Sequence, residues 1–275
     1  MEDYRELNRA SWDDRAAAHA GSPDYRVEEL IADPEALSHV VTFDAPRLGD
    51  LHGVNGVHLQ CHIGTDTLSL TRLGARMTGV DLSPASLAQA RRIAERAGVG
   101  IPYVESEVYA ASEVLNGATF DLVYTGVGAL CWLPSISRWA ATVAALLAPG
   151  GRLFIREGHP MMWSLDEERA DGVLAVRYPY FETEEAVVFD DGGTYVQTDQ
   201  TFAHNRTHTW NHGLGEIITA LNAAGLTLTM FVEHETAPWN ALPGQMERVG
   251  GDEWRLIDRP ERVAMTYTLQ AVKAG

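Results

Sequence analysis

The chain has 275 residues, of which 45% are hydrophobic and 21% charged, a composition typical of a folded globular protein. Its 38 Asp and Glu outnumber its 21 Lys and Arg, and the net charge of −17 argues against a nucleic-acid partner, because phosphates are bound by basic patches. No apolar run is long enough to span a membrane, and the charged first residues lack the apolar stretch of a signal peptide. We therefore predict a cytoplasmic protein that binds neither nucleic acid nor membranes.

The first 50 residues predict an amphipathic helical appendage, in which Tyr4 and Trp12 lie among charged residues. From Val57 onward, short β-rich runs alternate with helical runs, which is typical of a parallel sheet covered by helices on both faces. We predict strands near 57–60, 76–80, 101–104, 120–125 and 151–157, and helices near 66–72, 84–97 and 135–148.

Residues 158–209 break this alternation. Aromatic residues there alternate with polar ones around a turn at 190–193, which predicts a β-rich insertion after the fifth strand. A helix near 213–224 and strands near 226–233 and 263–272 are expected to follow, the two strands as antiparallel partners.

The segment from Val57 to Leu70 has the pattern of a strand, a turn and a helix, and a second strand ends at Asp81. Such a turn presents backbone N–H groups to a ligand, and an acid at the end of the second strand can hold ribose hydroxyls. Asp81 follows Gln60 by 21 residues, which fits the spacing of about 20 expected for that role. The turn contains one glycine, Gly64, so it lacks the glycine fingerprint of dinucleotide sites and disfavours an NAD-dependent oxidoreductase.

From about residue 50 to 272 the chain resembles the class I S-adenosylmethionine-dependent methyltransferases. The resemblance is carried by the order of four segments, GVDLSPASLAQAR, VESEV, FDLVYTGVGALCWL and LLAPGGRLFIREGHP. The first motif departs from the family, because His58, Gln60 and His62 stand where it has an acid and two glycines, and Gly64 alone keeps the pattern. This departure is similar to a bacterial subgroup with an LQCH-type first motif.

The resemblance implies a Rossmann-like α/β fold, a seven-stranded methyltransferase sheet with helices on both faces, and S-adenosyl-L-methionine as cofactor. Asp81 would bind the adenosine ribose, and Glu107 with Val108 would lie near the adenine. The full set of implied cofactor contacts is Gln60, His62, Gly64, Asp81, Leu82, Glu107, Val108 and Thr125. His62 is open to a second interpretation as a residue that fills space, and Glu107 to one as a solvated loop acid.

The resemblance also assigns the remaining segments. Residues 1–50 are expected to form a lid and 51–275 the methyltransferase domain, with 158–209 as a cap of the acceptor site. The aromatic residues predicted to bind the acceptor are Tyr4, Trp12, Trp132 and Trp210, although Trp132 is also open to an interpretation as a core aromatic. His159 and His212 flank the insertion and are the candidate catalytic bases, although His159 could instead order a loop and His212 cap the next helix.

His204, His208 and His212 recur at helical spacing, but the surrounding sequence has an extended pattern and no matching carboxylate. We therefore predict no metal site. The favoured function is methyl transfer to the oxygen, nitrogen or carbon of a small, largely apolar molecule. The alternative is a protein that binds S-adenosylmethionine or its demethylated product, S-adenosylhomocysteine, for sensing or for a non-methylating role. The oligomeric state is open, and a homodimer is one option.

Overall fold

The structure, a computed structural model, describes residues 3–169 and 171–275. Helices alone occupy the chain before residue 55, helices and strands alternate from 55 to 158, and the later part is richer in strands and loops. The helices are α1 (Tyr4–Gly21), α2 (Val27–Ala32), α3 (His39–Leu48), α4 (Thr65–Arg72), α5 (Pro84–Arg96), α6 (Ala111–Val114), α7 (Ile136–Leu146), α8 (Pro160–Trp163) and α9 (Leu214–Ala223). The strands are β1 (Asn55–Leu59), β2 (Arg76–Asp81), β3 (Tyr103–Glu105), β4 (Phe120–Thr125), β5 (Leu147–Gly158), β6 (Val187–Asp190), β7 (Arg206–Thr209), β8 (Leu226–His234), β9 (Thr236–Ala237), β10 (Met246–Val249), β11 (Glu253–Leu256) and β12 (Thr266–Lys273).

Seven of these strands form one sheet in the order β3-β2-β1-β4-β5-β12-β8. The pairs from β3 to β5 are parallel, and β12 lies antiparallel between β5 and β8. The strand order reverses between β1 and β4, and ligands of such sheets bind at the carboxyl ends of the strands beside that point. The Rossmann-like seven-stranded fold class predicted from sequence is confirmed.

Both faces of the sheet are covered by helices. On one face, Val57 and Val123 pack with Trp139 of α7 and Leu221 of α9 in the largest core cluster. On the other face, Tyr124 and Phe154 pack beneath α3 and α4, together with Val41 and Leu48. Burial of these apolar side chains on two faces is the main favourable free energy of folding.

The predicted strands and helices of the sheet are confirmed to within a few residues, as is the antiparallel pairing of β8 with β12. The β-rich character predicted for 158–209 is largely wrong, because only β6 and β7 and one isolated bridge are regular there. Fifteen residues, 191–205, connect these two strands, so the turn at 190–193 does not close a tight hairpin. The aromatic rings of this segment instead pack largely on one another, as Tyr178 does with Phe189 and Tyr180 with Phe181.

A second difference concerns residues 235–262, for which the sequence indicated no regular structure. They form a small three-stranded sheet in the order β10-β11-β9. Its apolar residues pack with Met162 and Leu165, which follow β5. Among the described residues, no helix has both the length and the apolar composition needed to cross a bilayer.

Candidate active site

The turn between β1 and α4 adopts an unusual backbone at the carboxyl edge of the sheet. Gln60 and His62 have φ of 56° and 50°, and Gly64 has φ of 76°. These are left-handed values that glycine adopts freely and other residues adopt at a cost in strain. A Cβ on Gly64 would lie 2.5 Å from the Tyr103 hydroxyl, so a larger residue does not fit there. The turn therefore has three left-handed positions, as a glycine-rich loop would, although Gln60 and His62 occupy two of them.

Asp81, at the end of β2, fixes this turn. Its Oδ2 accepts a hydrogen bond of 2.8 Å from the His62 main-chain N–H, and its Oδ1 accepts one of 2.8 Å from the Ser83 N–H. Burial raises the pKa of Asp81 to about 6, and these two N–H donors oppose the rise. The result is a desolvated carboxylate beside the turn, with acceptor capacity that suits vicinal hydroxyl groups.

Glu157, near the end of β5, holds the loop that follows β4. Its two oxygens accept hydrogen bonds from the main-chain N–H groups of Gly128, Ala129 and Leu130 at 2.7 to 2.8 Å. Gln60 adds a bond of 2.8 Å from its Nε2 to the Ala129 carbonyl oxygen. The two loops that border the carboxyl edge are thus tied to each other and to β5. Sequence analysis missed Glu157, although an acid within the apolar run LFIREG was a visible signal.

A group of aromatic rings lies over this edge. The Trp12 ring contacts the rings of Trp132 and His62 edge to face, with centroids 5.2 and 4.9 Å apart. The Trp132 indole N–H donates to the Gly128 carbonyl oxygen at 2.9 Å, which fixes the ring on the loop after β4. Aromatic faces of this kind attract cations that have lost their water. Two of the predicted acceptor-side residues, Trp12 and Trp132, are therefore brought together with the cofactor-side residue His62.

His19 connects three parts of the chain at the same place. Its Nδ1 is 2.9 Å from His62 Nε2, and its Nε2 is 2.7 Å from Thr194 Oγ1. The nearby hydroxyls of Tyr25 and Tyr195 are also hydrogen-bonded to each other. Burial, with Arg15 as a second cause, lowers the pKa of His19 to about 4, and burial lowers that of His62 well below its usual value. Both rings are therefore neutral near pH 7, and sequence analysis had not singled out His19.

Helix α1 is joined to the insertion by polar side chains. Asn8 exchanges two hydrogen bonds of 2.9 Å with the main chain of His208, in the manner of a strand partner. The buried Arg15 guanidinium donates to the carbonyl oxygens of Gly193 and His204. Because both residues are buried, these bonds join helix and insertion firmly.

The same helix also touches the start of α5 beside Asp81. Asp13 Oδ1 accepts from the Ser83 hydroxyl at 2.6 Å and from the Ala85 N–H at 3.1 Å, at the start of α5. The elements that α1 contacts most are α5 and β7, so it covers the end of the sheet near β2.

The other residues implied by the resemblance lie in mixed surroundings. Val108 is buried, whereas the Glu107 side chain is 23% exposed and lies 3.6 Å from Arg5. Leu82 is half-buried beside Asp81. The Thr125 side chain is fully buried, and its hydroxyl has no partner among the described residues. Their contact with a cofactor stays a prediction.

On the acceptor side, the Tyr4 ring packs edge to face against the Trp210 ring at 5.2 Å. The backbone N–H of Trp210 donates to the Cys131 carbonyl oxygen at 2.8 Å, so Trp210 adjoins the loop after β4. Of the four aromatic residues predicted for the acceptor side, Tyr4 and Trp12 lie on α1, whereas Trp132 and Trp210 lie along that loop.

His159 and His212 are both buried and fully hydrogen-bonded. The Met161 N–H donates to His159 Nδ1 at 3.0 Å, so Nε2 carries the proton that faces Glu233 Oε1 at 2.9 Å. His159 thus caps α8. Burial lowers its pKa against the opposing effect of Glu233.

His212 Nε2 faces the Leu133 carbonyl oxygen at 2.8 Å, and Nδ1 faces Glu182 Oε2 at 2.9 Å. It does not cap α9, because the Gly213 N–H at that end donates to Glu216 instead. Either histidine would have to break a hydrogen bond before it could take a proton from the methyl acceptor. The role of base stays a prediction.

The histidines at 204, 208 and 212 do not converge. His204 is largely exposed and lies 3.6 Å from Asp14, whereas His212 is buried against the loop after β4. Over residues 3–169 and 171–275, no group of three or more His, Cys, Asp or Glu side chains has an arrangement that could hold a metal ion.

Comparison with known proteins places this site in context. Residues 57–153 match the family described as Methyltransferase domain. The Ubiquinone biosynthesis O-methyltransferase of Nitrosococcus oceani is 36% identical over 141 residues, which cover 45% of this chain and 59% of that protein. The chain spans between 41% and 63% of the length of the curated relatives that it matches.

Solved structures show the same fold over a longer stretch. An S-adenosylmethionine-dependent methyltransferase from Mesorhizobium loti is 18% identical, with a TM-score of 0.52 over 86% of this chain and 98% of that one. Magnesium protoporphyrin IX methyltransferase from Synechocystis, solved with bound S-adenosylhomocysteine, is 14% identical, with a TM-score of 0.56 over 99% of this chain and 100% of that one.

Residues 57–153 thus match a methyltransferase domain, and the chain has the fold of the S-adenosylmethionine-dependent methyltransferases. This confirms the family resemblance that its motifs indicated. The LQCH-type subgroup stays a prediction.

Proposed function

We propose that this protein binds S-adenosyl-L-methionine and transfers its methyl group to a small, largely apolar molecule. The observation that carries the proposal is the half-buried Asp81 carboxylate, which lies against the turn after β1 at the carboxyl edge of the sheet. The curated relatives are named as methyltransferases, which favours an enzyme over the alternative of a sensing protein.

The residues at this edge suit the chemistry of that cofactor. An acceptor-only carboxylate such as Asp81 suits the two hydroxyl donors of a ribose. Glu107 and Val108, at the end of β3, are assigned to the adenine. The faces of Trp12 and Trp132 suit a sulfonium cation, since aromatic rings attract desolvated positive charge.

The bound cofactor would supply an already activated methyl group, which leaves by in-line displacement. The protein's own task is then to position the acceptor and to exclude water. Helix α1 and the insertion exclude water, because Asn8 and Arg15 join them into one cover over the carboxyl edge. Glu157 helps to position the acceptor, because it holds the loop that carries Trp132.

For the acceptor we propose an oxygen nucleophile, because the curated relatives are named O-methyltransferases. Removal of its proton is assigned to His159 or His212. The net charge of −17 supports a small molecule over a nucleic acid. A cytoplasmic location and a homodimer stay predictions.

Calorimetric titration with S-adenosylmethionine, S-adenosylhomocysteine and NAD tests the proposal. We expect Kd values in about the micromolar range for the first two and no comparable affinity for NAD. Asp81→Ala should weaken both by about 1.5 to 3 kcal/mol, or roughly ten- to more than a hundredfold. Asp50→Ala is the matched control, since Asp50 is an exposed carboxylate that precedes β1 and so lies at the opposite edge. Equal affinities in the two variants would show that the assigned pocket is wrong.

A further inference from the structure

A small cavity lies below the loop after β4, on the acceptor side of the site. Its volume is about 10 Å³, which is enough for one oxygen atom with its hydrogens. The walls come from six parts of the chain, namely that loop, the end of β5, α8, residues 210–212, α9 and β12.

Two of the side chains that line it carry buried hydrogen-bond donors without partners. Neither the Trp210 indole N–H nor the Tyr267 hydroxyl has a partner among the described residues, and the two residues are 6% and 0% exposed. Buried polar groups are nearly always hydrogen-bonded, because an unpaired one loses its water and gains nothing in return. Two of them beside one cavity indicate that a ligand atom completes the pairing.

Packing holds both donors in place. The Trp210 ring is fixed by its edge-to-face contact with Tyr4 and by the backbone bond to Cys131. The Tyr267 ring stacks on Phe231, with centroids 5.6 Å apart. Neither group can turn toward another acceptor without disturbing these contacts, so the donors are preorganised.

The charge beside the cavity restricts the ligand further. Glu157 also lines the cavity, and its oxygens already accept from the loop N–H groups. Burial, followed by the nearness of Glu157, raises the pKa of Tyr267 well above its usual value, so Tyr267 remains an O–H donor. Burial raises the pKa of Glu157, and the loop N–H groups oppose this rise because they stabilise the carboxylate. As a carboxylate, Glu157 repels an anionic oxygen but not an uncharged one.

We propose that Trp210 and Tyr267 form a two-donor subsite for one uncharged oxygen atom, such as a carbonyl oxygen, on a small, largely apolar methyl acceptor. Only the description of this ligand as the methyl acceptor rests on the proposed function. The subsite distinguishes acceptors with such an oxygen from those without it, since an analogue that lacks it leaves two donors unpaired.

The test uses the whole protein with ¹⁵N-labelled tryptophan and three probes that differ in one group: acetophenone, ethylbenzene and benzoate. The Trp210 indole resonance is assigned with Trp210→Phe. We expect acetophenone, up to millimolar concentration, to shift this resonance, and ethylbenzene and benzoate to shift it much less. The indole of Trp139 is the internal control, because it is also buried and without a partner among the described residues but lies on the core face of α7. Water alone in the cavity would leave the Trp210 resonance unchanged with all three probes, and that result overturns the proposal.

Tyr267→Phe supplies the second arm. Loss of one hydrogen bond should weaken acetophenone binding by about two- to tenfold, with the melting temperature unchanged or raised because an unpaired hydroxyl is removed. Tyr103→Phe is the matched control, since that hydroxyl is also buried and unpartnered but lies on β3. The subsite would be contradicted if both variants weakened acetophenone binding equally, or if neither weakened it. No turnover or cofactor is needed, so this result is independent of whether the protein binds S-adenosylmethionine.

Discussion

The His62 main-chain N–H donates a 2.8 Å hydrogen bond to Asp81 Oδ2, and this bond joins the turn after β1 to the end of β2. His62 can offer its N–H in this direction because its φ of 50° turns the peptide toward β2. The carboxylate that is proposed to bind ribose is therefore the same group that holds the turn in shape. Binding and the local backbone conformation depend on one charge.

The affinity for S-adenosylmethionine should consequently depend on pH. The pKa of Asp81 in the folded protein is about 6, raised by burial, so the carboxylate is ionised above that pH and protonated below it. We expect the measured Kd to be constant from pH 7 to 8 and to rise as the pH falls through 6. Calorimetry at pH 5 to 8 measures this, and Asp81→Asn should remove the dependence. A Kd that is flat to pH 5 in the unmodified protein would contradict this assignment.

The raised pKa of Asp81 also affects stability: a fall in pH weakens cofactor binding but increases this residue's contribution to the free energy of unfolding. Because the folded pKa exceeds the ordinary value of 3.8, the folded state takes up a proton between pH 6 and 4 that the unfolded state does not. The contribution of Asp81 to the free energy of unfolding therefore rises as the pH falls through this window. Comparison with Asp81→Asn by urea denaturation isolates this contribution from those of the buried histidines.

Glu157→Gln should loosen the loop after β4. The amide nitrogen of Gln cannot accept, so at least one of the N–H groups of Gly128, Ala129 and Leu130 loses its partner. We expect a loss of about 1 to 3 kcal/mol in the free energy of unfolding, together with faster hydrogen exchange at 128–130. Glu233→Gln is a suitable control because its side chain is 52% exposed and it accepts from one histidine. Unchanged exchange at 128–130 would show that the loop is held by other contacts.

Helix α1 and the insertion are expected to act as a lid that closes over ligands. We predict that S-adenosylhomocysteine slows hydrogen exchange from Tyr4 to His19. Arg15→Ala should reduce this protection, because the guanidinium connects α1 to the main chain of Gly193 and His204. Arg5→Ala provides the control, since Arg5 lies on the same helix but is exposed. If S-adenosylhomocysteine leaves hydrogen exchange from Tyr4 to His19 unchanged, the lid is excluded.

Either His159 or His212 is predicted to be the acceptor-side base. Replacement of the base by alanine should lower kcat by about 10²- to 10⁴-fold, whereas loss of a histidine that only caps or braces should lower stability and leave kcat nearly unchanged. The measurement is kcat at pH 6 to 9 for His159→Ala and His212→Ala, with folding and cofactor binding verified for each. If both variants keep the original kcat across this range, transfer proceeds by positioning alone.

The sheet and the principal cofactor residues could be predicted from sequence because their determinants are local. The alternation of β-rich and helical runs predicted where the strands lie. The position of Asp81 at the end of one strand predicted that it lies at the carboxyl edge of the sheet. Parallel strands bring their carboxyl ends together whatever the intervening loops contain. The order of the strands, with β12 inserted between β5 and β8, came from the family resemblance and not from any local pattern.

The insertion and the cover could not be predicted in the same way. The contacts of Arg15 with Gly193 and of His19 with Thr194 join residues more than 170 positions apart, and no periodicity encodes them. The small sheet at 236–256 was missed because its strands are only two to four residues long. Short strands gain their stability from packing against the rest of the protein.

The sequence by itself determined the class of fold and the placement of Asp81 beside the turn after β1, because hydrophobic periodicity and strand ends are properties of neighbouring residues. The tertiary structure alone decided that Glu157 holds the loop after β4, that His19 meets His62, and that Trp210 and Tyr267 line one cavity. Each of these depends on which buried polar groups face one another after the chain has folded. Their pairing is fixed by the cost of leaving such groups unsatisfied, which applies only once water has been excluded.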